Sequence, residues 1–203
     1  MKSGRDFSTQ KKGRAAHASA PDQGINAIEI ASRVMQAISD YRNLIAKRKH
    51  KLADPPTCTI TMISGGLKEN VIPDRCELVI DRRLVPGESS ITIEQELRPF
   101  LDRLQLDYEL EKMGSREPVE IDDSAAITRI VIDATNETTG SHTKTICFQG
   151  ATDNEHLVAN GIQSLVWGPG NLSKAHAIDE CISIHEIKHG TVALGLLLNK
   201  LLG

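Results

Sequence analysis

The chain has 203 residues and a net charge of −3, so its charge predicts neither a nucleic acid nor a membrane surface as a partner. The length suits one large domain or two small ones, and the basic residues 1–14 are followed by no apolar run typical of a secretory signal or a membrane span. The four cysteines are scattered without a CxxC pair, which favours reduced, mostly buried thiols and a cytoplasmic location.

The first half of the chain has the periodicity of a small α/β domain. In chain order the sequence predicts a strand at 12–18, a helix at 24–39, strands at 57–63 and 75–84, a helix at 91–105 with Ser89 or Ser90 as its cap, and a strand at 107–113. This order is that of the ferredoxin-like βαββαβ unit, a four-stranded sheet with two helices on one face. We therefore predict a compact domain at 12–113, preceded by a short stub at 1–11.

The second half alternates between helix and strand patterns. It predicts a helix at 123–138, a strand at 144–148, a helix at 152–160, a strand at 163–167, a loop containing His176 and a helix at 183–202. Such alternation is typical of parallel strands with crossover helices. Two short parallel strands make a poor sheet, so residues 114–203 are predicted to be an incomplete portion of a larger parallel α/β domain.

Three segments carry the functional signal. They are GRAAHASAP at 13–21, GGLKENVIPDRCELVIDRRLVPGE at 65–88 and GPGNLSKAHAIDE at 168–180. Together with GATDNEHL at 150–157 they resemble, in order and spacing, the family of zinc-dependent aminoacylases, acetylornithine deacetylases and succinyl-diaminopimelate desuccinylases. The resemblance covers essentially the whole chain. It implies a lid, or dimerisation, domain followed by the C-terminal part of a catalytic domain.

The resemblance also implies a metal-dependent reaction. The family hydrolyses N-acyl or peptide amide bonds in small, carboxylate-bearing substrates, with zinc, and with cobalt or manganese as alternatives. His176 would be the last metal ligand, and its competing interpretation is a surface loop histidine. The other ligands and the general base belong to a part of the family sequence that precedes this chain. We therefore expect the isolated chain to bind metal weakly or not at all and to lack amidase activity.

The remaining candidate residues lie in the lid. By resemblance, His17 reaches the active site of the partner subunit of a homodimer and donates a hydrogen bond to the oxyanion; alternatively it caps the turn at Ser19–Pro21. Asn70 and Arg83 would bind the substrate's carbonyl and carboxylate. The alternatives are a turn role for Asn70 and an ion pair of Arg83 with Asp81 or Glu88. Arg82 points to the opposite face of the strand and is interpreted as structural.

Two further patterns have simpler interpretations. Gly150, Thr152 and Asp153 resemble a turn near the family's active site, but Thr152 or Asp153 also suits the cap of the following helix. His185 and His189 are four residues apart on one helix. A pair with this spacing can bind zinc, but no third ligand is visible in the sequence, which favours two solvated histidines.

Three hypotheses about function remain open from the sequence. The first is an amidohydrolase of which this chain is a fragment. The second is a non-catalytic dimerisation or binding module built on the complete lid. The third is one half of a split enzyme. A nucleic-acid partner is not expected because the predicted strands of the lid carry no aromatic platform and the chain has no basic excess.

Overall fold

The computed structural model describes residues 3–148, 150, 152–175 and 177–203, with the side chains of 3–12 left undescribed. The chain is a mixed α/β protein that divides into two compact units. The first extends to Pro118, and the second contains residues 119–148 and 152–203. Each unit is considered by itself below.

Six strands and two α-helices lie in the described part of the first unit, the lid. They are β1 (Ser3–Lys12), β2 (Ala16–His17), α1 (Ala27–Ile45), β3 (Thr57–Gly65), β4 (Val71–Ile72), β5 (Arg75–Leu84), α2 (Ile93–Asp102) and β6 (Tyr108–Ser115). Four strands make one antiparallel sheet in the order β3-β5-β1-β6. This order confirms the ferredoxin-like βαββαβ topology. A separate two-stranded pair joins β2 to β4.

Helix α1 covers one face of the sheet because its apolar residues recur every three or four positions. Its buried side chains are Ala27, Ala31, Val34, Ala37, Ile38, Tyr41 and Ile45. They pack with α2 and with the inward-facing residues of β5, such as Leu78 and Ile80, in a single core. The Asn26 side chain caps the helix by accepting hydrogen bonds from the backbone of Ile28 and Glu29. The helix extends six residues beyond the predicted end because Tyr41 and Ile45 continue the apolar face.

The inward face of β5 also buries one arginine. The Arg82 side chain is 1 % exposed and pairs with Glu88 at 2.7 Å, and its Nε donates to the Tyr41 hydroxyl at 3.2 Å. Tyr41 in turn donates to Glu96 at 3.0 Å, and Arg48 bonds to both Glu88 and Glu96. The interpretation of Arg82 as structural is confirmed. These five side chains, the Arg82 network, join α1, β5, α2 and the turn after β5.

Three predictions about the lid were wrong. The first strand is Ser3–Lys12, so the predicted stub at 1–11 is largely strand, and of residues 12–18 only Lys12 and the pair Ala16–His17 are extended in strands. The second helix is not capped by Ser89 or Ser90. Thr92 lies at its N-cap without a side-chain bond. Ser90 is buried instead, and its backbone and hydroxyl donate to the Glu117 carboxylate.

Three α-helices lie in the described part of the second unit. They are α3 (Ala126–Thr139), α4 (Asn154–Ala159) and α5 (Ile184–Leu202), all close to their predicted positions. Helices α3 and α5 pack together, with Lys200 and Glu137 paired at 3.2 Å. The predicted strands at 144–148 and 163–167 are not formed. A strand requires a hydrogen-bonded neighbour, and neither segment pairs with another in the described part of the chain.

Candidate functional site

The loop that carries His17 is fixed by backbone pairing at one end of the lid sheet. Ala16 pairs with Ile72, and His17 pairs with Val71. Just before them, Arg14 forms a β-bridge with Ile25, two residues before α1 begins. Gly13 permits this close approach, since a Cβ there would lie 2.2 Å from the Ile25 carbonyl oxygen. The loop is therefore paired through its backbone with two other segments of the lid.

The His17 ring is exposed and held in one orientation by the next turn. The Ser19 backbone N–H donates to its Nδ1 at 3.2 Å, and the Ser19 hydroxyl lies 2.7 Å from the same atom. Because Nδ1 accepts the backbone hydrogen bond, the neutral ring carries its proton on Nε2. The ring thus stabilises the turn, as one interpretation predicted, and also presents an Nε2–H donor, as the other requires.

Asn70 lies at the same edge as His17. Its backbone carbonyl accepts a hydrogen bond from the Ala18 N–H at 2.9 Å, and its side chain is exposed. The structure therefore brings two of the candidate residues together through the backbone around the short β2–β4 pair.

Arg83 lies at the opposite end of the sheet. Strand β5 begins at Arg75, near the β2–β4 pair, and Arg83 follows eight residues later, where it pairs with Gly4 and Thr57. At about 3.4 Å per residue this corresponds to roughly 27 Å along the strand. The Arg83 guanidinium, 47 % exposed, contacts Asp81 through two bonds of 2.8 Å. Within one lid, Arg83 is thus far from His17 and already has a carboxylate partner.

The candidate residues of the second unit give no assembled metal site. His176 lies outside the described residues. Thr152 Oγ1 accepts from the Asn154 N–H at 3.3 Å, and Asp153 occupies the N-cap of α4 without a side-chain bond. No group of three His, Cys, Asp or Glu side chains among the described residues could hold a metal ion. The residues that the structure describes therefore do not fit the catalytic zinc centre that the resemblance implies.

A cleft beside the His17 loop was not predicted from the sequence. It has a volume of about 550 Å³ and is lined by Ala18, Asn26, Glu29, Arg33 and Ile72, among others. The Asn26 amide donates to Glu29 at 3.0 Å, and Arg33 donates to the Leu104 carbonyl at 3.4 Å. The sequence signal was the N-x-x-E pattern at 26–29, which marks a helix start but says nothing about the loop that packs beside it.

Comparison with known proteins identifies the lid. The M20 peptidase dimerisation domain matches residues 6–109, about half of the chain. The chain belongs to the M20 peptidase family. The acetylornithine deacetylase of Vibrio campbellii is 32 % identical over 179 residues, which are 84 % of this chain and 46 % of that protein. The succinyl-diaminopimelate desuccinylase of Marinobacter nauticus is 26 % identical over 133 residues, 66 % of this chain and 35 % of that one.

Solved structures of M20 proteins share the fold. An M20 metallo-carboxypeptidase from Sulfolobus solfataricus superposes with a TM-score of 0.74 at 18 % identity, covering 97 % of this chain and 59 % of that one. This confirms the fold class, with a dimerisation domain followed by part of a catalytic domain. The M20 chain spans about half the length of the curated relatives that it matches. In its described part, no helix is both long and apolar enough to cross a bilayer.

Proposed function

We propose that this M20 chain supplies the dimerisation domain and the C-terminal part of the catalytic domain of a metal-dependent amidohydrolase. The substrate would be an N-acyl amino acid or a small peptide with a free carboxylate. Family membership and the names of the relatives, which are deacetylases and desuccinylases, support this class of reaction.

The observation that carries the proposal is the orientation of His17. The Ser19 bond to Nδ1 leaves Nε2–H as an exposed donor on a loop fixed to backbone at two places. Such a donor, held in position before the reaction, stabilises the negative charge that develops on an amide carbonyl as it becomes tetrahedral. Loss of one oxyanion donor typically raises the barrier by about 3 kcal/mol.

The separation of Arg83 from His17 supports a homodimer. A small substrate cannot span roughly 27 Å of β5, so the two side chains of one lid cannot contact the same molecule. If both contact substrate, His17 serves the site of the partner and Arg83 serves a site of its own subunit. Arg83 would then share its guanidinium between Asp81 and the substrate carboxylate, because its five donors exceed the two bonds already made.

The metal belongs to the complete enzyme. Zinc, or cobalt or manganese in its place, would polarise the scissile carbonyl, and His176 is the residue of this chain proposed to ligate it. Because the resemblance assigns the other metal ligands and the general base to a part of the family sequence that this chain does not match, we propose that the isolated chain does not hydrolyse amides. The proposed location is the cytoplasm, without nucleic-acid or membrane partners.

The first test is the size of the native polypeptide, detected in its own cells with an antibody against the lid and measured as intact mass. A species about twice the length of this chain supports the enzyme. Its zinc-dependent hydrolysis of N-acetylornithine and N-succinyl-diaminopimelate is then measured. We expect His17→Ala to lower kcat by about 100-fold with little change in KM.

His50→Ala is the matched control for His17→Ala. His50 also accepts a backbone N–H on its Nδ1, from Leu52 at 3.2 Å, but in a different turn of the lid. The control should keep full activity. An equal loss in both variants would contradict the oxyanion role, because it would show that turn stability alone sets the rate.

The second candidate function is a non-catalytic dimerisation module, favoured by the closed core of the lid. A native species of 203 residues that is dimeric by light scattering and inactive with zinc supports it. Zinc-dependent turnover by the pure chain would contradict the non-catalytic module and the proposed inactivity of the isolated chain. Activity that appears only after a separate chain is added would indicate a split enzyme.

A further inference from the structure

Two histidines at the start of α5 lie in contact and have no role in the proposed function. The ring centroids of His185 and His189 are 3.9 Å apart, with the ring planes inclined at 53°. Residues four apart lie on the same face of a helix, one turn from each other. His185 is exposed and His189 is partly exposed, so solvent ions can reach the pair. The sequence showed only the spacing, and the structure adds the contact between the rings.

The glutamate between the two histidines is not available as a catalytic base. The segment reads His-Glu-Ile-Lys-His at 185–189, the H-E-x-x-H pattern in which two helical histidines bind zinc and the glutamate acts as a base. Here Glu186 is committed to the helix start. Its carboxylate accepts the Ser183 hydroxyl at 2.8 Å and the Ser183 N–H at 3.2 Å, while Ser183 Oγ accepts the Glu186 N–H. These hydrogen bonds from Ser183 also hold the pKa of Glu186 below its usual value.

The same capping box prepares the two histidines for a ligand. By fixing the first turn of α5, it orders the start of the helix that carries both rings, so little backbone freedom is lost on binding. A divalent cation takes one nitrogen from each neutral ring. Because the two residues lie on one face of the helix, rotation about their side-chain bonds turns both rings toward a common ion. Imidazole is a preferred ligand of zinc, copper and nickel.

We propose that His185 and His189 form a two-histidine binding site for a zinc-class divalent cation that does not hydrolyse substrate. No third His, Cys, Asp or Glu completes a three-ligand group here within the described part of the chain. Water therefore fills the remaining positions, and the site exchanges its ion. The ion links two successive turns of α5. This proposal is independent of the proposed amidohydrolase function.

The test is a zinc titration of the 203-residue chain with 15N-labelled histidine, followed by NMR of the imidazole nitrogens. Ring signals of His185 and His189 should shift together and saturate at one zinc ion. Because loss of an outer-shell partner alone typically weakens metal sites by about 10- to 100-fold, His185→Ala or His189→Ala should weaken binding by at least about tenfold. The remaining ring should then lose its response at the zinc concentration that saturates the unmodified chain.

His142→Ala is the matched control, since His142 is also exposed and lies in the same unit. It should leave the titration unchanged. The experiment is repeated with His176→Ala, so that zinc bound by the other proposed ligand does not contribute. Unchanged zinc affinity in His185→Ala, or separate, non-saturating responses of the two rings, would overturn the proposal. Circular dichroism of each variant verifies that α5 remains folded.

Discussion

The lid and the second unit differ in how completely each encloses its own apolar side chains. In the lid, α1, α2 and the inner face of the sheet share one continuous core. In the second unit the buried apolar residues among those described are Val131, Ala134 and Ala193. Large apolar side chains there are exposed to solvent, such as Ile184 at 72 % and Leu202 at 85 % exposure. The lid is therefore expected to be stable by itself, whereas the second unit depends on further contacts for its stability.

Polar groups show the same contrast. Every member of the Arg82 network has a partner of complementary charge or hydrogen-bonding capacity. In the second unit, the Ser164 hydroxyl is buried with no hydrogen-bond partner among the described residues. A satisfied buried network stabilises a unique fold, while a buried polar group without a partner lowers stability. The difference can be tested by substitution.

The largest effect is expected at the centre of the Arg82 network. Arg82→Ala leaves the Glu88 carboxylate buried without its main partner, so the free energy of unfolding of the lid should fall by about 4 kcal/mol. Urea unfolding followed by circular dichroism measures this. Arg83→Ala is the control on the same strand. It removes an exposed ion pair with Asp81 and should change stability by less than about 1 kcal/mol. Equal losses would show that burial of the network contributes nothing.

The second-largest effect on stability is expected when an apolar side chain of the lid core is truncated. The same change in the second unit should have a smaller effect. Leu97 is 1 % exposed in the lid core, and Leu97→Ala should cost about 3 kcal/mol. Ile187 is 47 % exposed on α5, and Ile187→Ala should cost less than about 1 kcal/mol. Trp167, the single tryptophan, reports on the second unit by fluorescence, and circular dichroism reports on the whole chain. A single transition by both probes would contradict the division into a stable and a dependent unit.

A pH effect should be specific to the lid. Burial acts to raise the pKa of Glu88, but hydrogen bonds and charge from Arg82, together with Val85 N–H and Arg48, hold it below its usual value. A carboxylate with a lowered pKa stabilises the fold fully above its unfolded pKa of about 4.3, and this stabilisation disappears as the pH falls through the folded value.

Unfolding of the lid at several pH values tests this linkage. Glu88→Gln should lower stability at pH 7 and flatten its decline below about pH 4.3. Glu94→Gln is the control, because it removes only an exposed ion pair with Arg98. An unaltered acid limb in Glu88→Gln would show that other carboxylates determine the acid sensitivity.

The sequence predicted elements whose side chains carry their own periodicity. For β5 the signal is a β-rich segment at 75–84 that ends at Pro86-Gly87, and for α1 it is an apolar face that repeats with the helix period. Strand β1 was misplaced because SGRDFSTQKK has no such alternation. Its position is fixed by backbone ladders on both sides, since it lies between β5 and β6, and that information is not local.

The same limit applied to the candidate site. His17 and Asn70 could be identified as candidates from their motifs, but their proximity depends on the register of a two-residue strand pair, which leaves no periodic signal. The distance of Arg83 from His17 likewise follows from the length of β5. For His185 and His189, the spacing can be read from the sequence, but the contact between the rings depends on side-chain rotamers.

The smallest expected effect is a difference in reactivity between cysteine thiols of the two units. It can be measured in the unmodified chain. Burial raises the pKa of the Cys58 thiol to about 11, whereas Cys181 in the second unit is exposed. Because the thiolate is the reactive form, a maleimide should modify native Cys181 first and Cys58 only when the lid unfolds. Mass spectrometry of timed samples measures both rates, and Cys181→Ser should remove the fast phase. Labelling of Cys58 as fast as Cys181 would mean that the lid core opens readily, and the contrast between the two units would then be lost.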